Sequence, residues 1–202
     1  MSDFDAELSD NDLAVQCRVR RHDPRPFETL VRRHQGFVVA NCRMLSRSAT
    51  DAEDLAQDVF VKAYFALPRY EPRAPFLGWL KTIKVNHCLN HLRKARRATF
   101  VDVDGDVVSD VEALSTEPEV DRIVEAEDAR ERVVRVLDRL SDTVRVPLVL
   151  CDADGLSYEE IAEQLGIGLS AVKMRIKRGR EEFRRLYALE ERAESASMAG
   201  RA

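Results

Sequence analysis

The stretch "GLSYEEIAEQLGIGLSAVKMRIKRGREEFRR" (155–185) constrains the fold more than any other part of this 202-residue chain. Ser157 and Glu160 stand at capping-box spacing, in which the hydroxyl accepts from a first-turn amide and the carboxylate reaches back to the cap. Ile161, Ala162 and Leu165 give a short helix an apolar face, and Gly166 falls where that helix must reverse. Beyond "GIG" (166–168), Ser170 is placed to cap a longer helix whose Val172, Ile176, Phe183 and Leu186 face inward. A small Ala162 before the turn and Val172 after it suit two helices that cross closely. The pattern predicts a helix-turn-helix, whose second helix enters the major groove of DNA. Its outward positions are Lys173, Met174, Lys177, Arg178 and Arg180, apt for phosphate and base-edge contacts. A helical hairpin with a solvated basic face is the plainer alternative. It must explain two caps, the alanine, the glycine and the one-sided basicity together.

Charge is segregated along the chain, although the net balance is only −4. Residues 81–97 carry six Lys/Arg and no acid, and residues 170–185 carry seven against two Glu. Between them, residues 98–128 hold eleven Asp/Glu and one Arg. The average thus hides two basic elements separated by an acidic connector. Eight glycines, seven prolines and 6% aromatics favour helices over β-sandwiches, and 45% hydrophobic content suffices for packed cores.

The expected fold is all-α: two small helical domains joined by a flexible acidic linker. The first domain covers 1–97, the linker 98–119 and the second domain 120–187, followed by a frayed tail, 188–202. Ser9 caps a first helix, which "HDPRP" (22–26) ends, and a second runs from Phe27 to Leu45. Thr50 and Glu53 have capping-box spacing at the start of "TDAEDLAQDVFVKAYFAL", with Leu55, Val59, Ala63 and Leu67 as its buried stripe. Three prolines make 68–75 a loop, and a helix begins near Phe76. In the second domain Pro147 predicts a helix start or kink.

The helix "FLGWLKTIKVNHCLNHLRKARR" (76–97) is the second basic element. At about 100° per residue, Trp79, Asn86, Asn90, Arg93 and Arg97 fall within roughly 60° of one another. Val85, Leu89 and Leu92 lie opposite. An aromatic, two amides and two arginines on one stripe suit unpaired nucleic acid, through stacking, base-edge hydrogen bonds and phosphate contacts. On composition alone, a core Trp79 with arginines that merely solubilise the helix end accounts for the stripe equally well.

Taken together, "DAEDLAQDVFVKAY" (51–64), "FLGWL" with "VN" seven residues after its Trp, "HLRKARR" and the helix-turn-helix resemble bacterial sigma factors of the extracytoplasmic-function (ECF) group. The resemblance covers most of 9–187. It implies a non-catalytic subunit that gives RNA polymerase its promoter choice, with no cofactor, metal or small-molecule substrate. It implies that 51–67 docks on a coiled coil of the largest subunit of core RNA polymerase, with Asp54, Gln57, Asp58 and Val59 at or near the interface. The segment 70–97 would recognise the downstream promoter element, holding one flipped non-template base between the Tyr70–Phe76 loop, with Arg73, and Asn86. Arg93, Lys94, Arg96 and Arg97 would contact the adjoining backbone. The positions matching upstream-element contacts are Lys173, Met174, Arg175, Lys177, Arg178 and Arg180. Met174 and Lys177 depart from the usual family residues, which points to an altered sequence preference, and Pro72 and Pro75 stand in a loop that is Gly-rich in the family, so the pocket there departs in detail. The linker would thread polymerase channels, its charge imitating phosphate. An anti-sigma factor is a further expected partner.

Other readings are weaker. "HCLNH" (87–91) sets His87 and His91 one turn apart, but lacks the Glu of a zinc-protease motif and a third ligand. A helix-turn-helix repressor or activator would not need the Trp–Asn–Arg stripe, nor a protein-only adaptor two basic faces. Cys17, Cys42, Cys88 and Cys151 show no paired spacing and read as free thiols in a reducing compartment. The start is acidic without a signal-peptide core, and no window approaches ~18 consecutive apolar residues. A cytoplasmic protein without membrane insertion is expected.

Overall fold

The computed structural model describes residues 8–98 and 123–199, with side chains at 8–94 and 129–193. It divides into two compact units, 1–100 and 101–202. The described residues are helices and their connections, with no strand. Most of the expected acidic linker, 99–119, lies outside the described residues; Ala98 ends a helix.

The first unit contains α1 (Asp10–Val19), α2 (Arg25–Ser46), α3 (Ala49–Ala66) and α4 (Phe76–Ala98). Ser9 caps α1 by accepting from the Asp12 amide, 3.2 Å away. The cap of α3 lies two residues before the expected one: Ser48, not Thr50, accepts from the Asp51 amide at 3.1 Å. The reason lies in the preceding joint. α2 runs to Ser46 and Arg47 turns left-handed (φ 64°), so the chain reverses within two residues. The core gathers Leu13, Leu30, Val38, Leu45, Leu55, Val59, Ala63, Leu80, Val85 and Leu89.

The 68–75 segment opens with a single 3-10 turn, Leu67–Arg69, and then crosses to α4. One side chain of α1 organises that crossing. The Asn11 Oδ1 accepts the Phe76 amide at 2.8 Å and lies 2.9 Å from the Tyr70 hydroxyl. That hydroxyl shares its proton with the Ala74 carbonyl, 2.8 Å away. Arg18 donates to the Tyr70 carbonyl at 2.8 Å. The Tyr70, Phe76 and Trp79 rings pack with centroids 5.1–6.0 Å apart.

Lys84 is fully buried between α4 and α2. Its Nζ donates to Asn41 Oδ1 at 3.1 Å and lies 5.3 Å from the Phe37 ring centroid. Asn41 Nδ2 in turn donates to the Phe37 carbonyl at 3.0 Å.

The second unit contains α5 (Ile123–Arg139), α6 (Asp142–Asp152), α7 (Tyr158–Leu165) and α8 (Leu169–Ala199). Three expectations shift. The helix break lies at Ser141, and Pro147 sits buried inside α6 rather than at its start. The partner its missing N–H denies is the carbonyl of Thr143, an exposed residue. α8 begins at Leu169, so Ser170 lies within its first turn. α8 also continues to Ala199, through the 188–199 segment expected to fray. "ALEERAESASMA" is rich in strong helix formers and contains neither glycine nor proline. Where α8 crosses α6, Gly179 permits the approach: a Cβ there would stand 3.1 Å from the Val144 carbonyl oxygen and 3.4 Å from Leu148 Cβ.

Asn11→Ala removes a helix-start acceptor and strands the Phe76 amide, while the Tyr70 hydroxyl keeps only the Ala74 carbonyl. It is expected to destabilise the first unit by about 1–3 kcal/mol, read from its thermal transition, while Asn11→Asp, which keeps the acceptor, loses less.

Candidate nucleic-acid interface

Burial decides which residues of α4 are available. Leu80, Val85, Cys88 and Leu89 face the core, so Asn86, Asn90, Arg93 and Lys94 are left exposed on the other side. These four line a groove of about 590 Å³ together with Ile83 and His87 of α4 and Lys62 of α3. The Arg93 guanidinium donates to Asn90 Oδ1 at 3.0 Å, leaving the Asn90 amide nitrogen to face outward chemistry. Arg96 and Arg97 continue the helix, but their side chains lie outside those described.

The loop residues divide. Arg73 is exposed, with a Glu71 carboxylate 3.4 Å away. Tyr70 and Phe76 are each 1% exposed, so as folded they shape the loop and offer no surface to a base. Trp79 is half-buried against both rings. The alternatives left open for Trp79 therefore merge: it belongs to an aromatic cluster and keeps an exposed edge.

On α3, Asp54, Gln57 and Asp58 are exposed, whereas Val59 is 0% exposed. Val59 falls on the α3 stripe that packs into the core, so it has no surface to give a partner. Sequence reasoning passed over Val61, Tyr64 and Phe65, which are exposed large apolar residues, Phe65 at 76%. The signal was present in "VFVKAYFAL", which holds more apolar side chains than one inward stripe can bury. Phe27 of α2 meets the Tyr64 ring edge-on at 5.1 Å.

His87 and His91 each face an α3 carboxylate. His87 Nε2 lies 3.1 Å from Asp58 Oδ2, and His91 Nε2 lies 3.9 Å from Asp51 Oδ2. Burial, then the nearby Lys62 charge, push the His87 pKa below its ordinary value, against the pull of Asp58. Among the described residues, no three His, Cys, Asp or Glu side chains gather as metal ligands would.

In the second unit the capping box at Ser157 forms fully. Glu160 Oε2 accepts the Ser157 amide at 2.8 Å, and the Glu160 amide donates to Ser157 Oγ at 3.2 Å. The Ser157 amide and the Ser157 hydroxyl, both donating to that carboxylate, hold the Glu160 carboxyl below its usual range. Gly166 takes the left-handed conformation (φ 67°) that ends α7 and starts the turn. Val172, Ile176 and Leu186 are buried, and α8 presents exposed Lys173 and Arg178 with half-buried Met174, Arg175 and Lys177. Arg180 is different. Its guanidinium grips Asp152 at the end of α6 by two hydrogen bonds, 2.6 and 3.1 Å. It approaches Cys151 Sγ at 3.7 Å as well.

These two units correspond to two family descriptions: Sigma-70 region 2 matches residues 30–98, and Sigma-70, region 4 matches residues 130–183. The ECF RNA polymerase sigma-E factor of Escherichia coli K12 is 34% identical over 176 residues, covering 84% of this chain and 91% of that protein. The chain belongs to the ECF family of RNA polymerase sigma factors. The ECF sigma factor SigE of Mycolicibacterium smegmatis is also 34% identical, over 158 residues; the match takes in 78% of this chain and 60% of that relative's length. Among solved structures, CnrH in complex with the cytosolic domain of CnrY superposes with a TM-score of 0.55 at 29% identity, covering 89% of this chain and 97% of that one. The chain is thus a sigma factor of the ECF type, a protein that directs transcription, and α4 and α8 are its region-two and region-four basic helices. No described helix is long and apolar enough to cross a membrane.

Three outcomes follow from the geometry. Arg180→Ala lowers the stability of the second unit, because the Asp152 pair is lost. The pair is partly exposed, so the loss stays below about 1 kcal/mol. Lys173→Ala, on the same helix and exposed, leaves that stability unchanged, and thermal melts of the two variants show the difference. For His87, the folded state binds fewer protons than the unfolded chain. The stability tied to this group is therefore intact above its ordinary value of 6.5 and is lost as pH falls below it. Replacing His87 by Gln flattens the fall of the first unit's melting midpoint between about pH 7 and about pH 5.

Proposed function

We propose that this sigma factor binds core RNA polymerase and directs promoter-specific initiation by two contacts, one of which melts the DNA. The exposed α3 face of Asp54, Gln57 and Asp58 docks on the coiled coil of the largest polymerase subunit. Acids and an amide beside the exposed Val61, Tyr64 and Phe65 make a surface complementary to a basic, partly apolar helical partner. Val59 contributes from beneath by holding α3 in register.

The α4 groove takes the downstream element. Asn86 and Asn90 hydrogen-bond the edge of an unpaired non-template base, Arg93, Lys94, Arg96 and Arg97 hold the backbone, and Arg73 approaches from the loop. Tyr70 and Phe76 shape that loop from inside, and Trp79 offers its exposed edge. Melting follows because the protein binds the unpaired base better than the paired one; no chemical energy and no cofactor enter. The exposed face of α8, with Lys173, Met174, Arg175, Lys177 and Arg178, reads the upstream element in the major groove, and Arg180 braces that helix. Acting on promoter DNA places the protein in the cytoplasm.

The observation that carries this reading is the α4 groove. Amides and cations converge on an open face of the region-two unit, where a simple helix-turn-helix repressor needs none. An anti-sigma factor is a fitting regulator: CnrH is held by the cytosolic domain of another protein, and the exposed apolar residues of α3 offer such a partner a foothold.

Reconstitution with core polymerase tests the reading on promoters selected by the holoenzyme. Purified chain confers promoter-dependent transcription; a repressor does not. Asn86→Ala cuts open-complex formation, read by permanganate reactivity of unpaired thymines, by about tenfold, equivalent to one or two hydrogen bonds. Duplex binding changes little. Arg178→Ala weakens upstream-element binding instead. Intact melting in Asn86→Ala defeats the base-capture assignment.

A further inference from the structure

We propose that Lys62, on the polymerase-docking helix α3, is a phosphate-binding residue of the promoter site, closing the α4 groove around the backbone of single-stranded DNA. The proposal rests on the reading of α4 as the nucleic-acid face and adds a second wall to it.

The groove is walled by two helices. Six of its lining residues come from α4 and Lys62 alone comes from α3, so the lysine stands across from Asn86, Asn90 and Arg93. Three cations line the space and no carboxylate does. A volume of about 590 Å³ lies within the ~300–1,000 Å³ common for ligand clefts and has room for a nucleotide. Lys62 is exposed, and no hydrogen bond or ion pair engages it among the described residues. An ammonium free of partners, opposite amides that suit a base edge, is placed to take the phosphate of the same nucleotide.

The sequence of α3 supports the same division. Asp54, Asp58 and Lys62 follow at four-residue intervals, so they share one face of the helix. Along that face the charge changes sign after Asp58. Asp58 is turned to His87, 3.1 Å away, and does not line the groove. The Lys62 charge also reaches inward, since it helps to disfavour protonation of His87. The acidic stretch of α3 thus faces a basic protein, and its basic end faces DNA. Capture of the single strand occurs beside the docking surface, not remote from it.

The test uses holoenzyme assembled from the full chain and core polymerase, with core polymerase alone as background. The probe is a fluorescent single-stranded DNA 12-mer of mixed sequence, titrated across salt concentrations. Lys62→Ala is expected to weaken single-strand binding by about three- to tenfold and to lower the slope of log affinity against log salt by about 0.7, the loss of one phosphate contact. Lys62→Arg stays near wild type, and affinity for core polymerase does not change. Wild-type affinity and slope in Lys62→Ala overturn the proposal, as does a loss that appears in core polymerase binding instead. If Asn86→Ala weakens the single-strand complex and Lys62→Ala does not, only the role of Lys62 falls. If wild-type holoenzyme binds the strand no better than core polymerase alone, the reading of α4 falls with it.

Discussion

Asn11 carries the junction on which the region-two unit depends. Its side-chain oxygen accepts the first amide of α4 and, together with the Ala74 carbonyl, the proton of the Tyr70 hydroxyl. The loop between α3 and α4 contains Pro68, Pro72 and Pro75, which cannot donate, so it has few amides with which to organise itself. Its order comes from outside: Asn11 at one side, Arg18 on the Tyr70 carbonyl, and the packed rings of Tyr70, Phe76 and Trp79 beneath. Where α4 starts and how it is rotated follow from that arrangement. A helix turns about 100° per residue, so the angle fixed at Phe76 is inherited by Asn86, Asn90 and Arg93.

The far side of α4 is held by a different device. Leu80, Val85 and Leu89 supply non-directional burial, which tolerates small rotations. Lys84 adds direction, because its ammonium must find Asn41 Oδ1 and the Phe37 ring in a site without water access. Leaving such a charge unpaired costs far more than a misplaced methyl group. The buried lysine therefore selects one rotation of α4 among those that burial alone would permit. The second unit makes a comparable choice with less: Gly179 lets α6 come close, and Arg180 ties the flank of α8 to Asp152.

What could be read from the sequence, and what could not, divides along the range of the interactions. The capping box at Ser157, the reversal at Gly166, the start of α4 at Phe76 and the buried stripe of α3 are local, and each was legible from residues a few positions apart. The exposed amides and cations of α4 followed from helical periodicity. Thr50 failed as a cap because the turn at Arg47 and Ser48, set by the end of α2, took precedence. Pro147 marks no helix start, because a proline does so only when no earlier residue begins the helix, and Ser141 does. Val59, Tyr70 and Phe76 were assigned to surfaces by family position, yet they pack inward in the tertiary fold. Lys84 was counted only as one of the six cations of the basic element 81–97, and Asn11 was passed over entirely. Their roles depend on partners 43 and 65 residues away, respectively, which no short-range pattern reveals.

The proposed melting activity makes these long-range supports more than scaffolding. A protein that opens DNA without chemical energy has only the difference between its affinities for unpaired and paired bases to work with. Unstacking a base costs a few kcal/mol, and the hydrogen bonds returned by two asparagines are each worth about 1 kcal/mol net. That margin closes only if the receiving side chains lose little freedom on binding. Asparagine has a short side chain, and both residues stand on a helix whose rotation Asn11 and Lys84 have already fixed. The entropy of ordering the site is thus met during folding, when the core forms, and not at the promoter. In the proposed mode, cations gathered on the rim hold the backbone at a distance where the base reaches the amides. The rigidity of α4 and the openness of its groove are complementary requirements of one task, and the inward-facing lysine supports the amides on the outer face as directly as any contact made there.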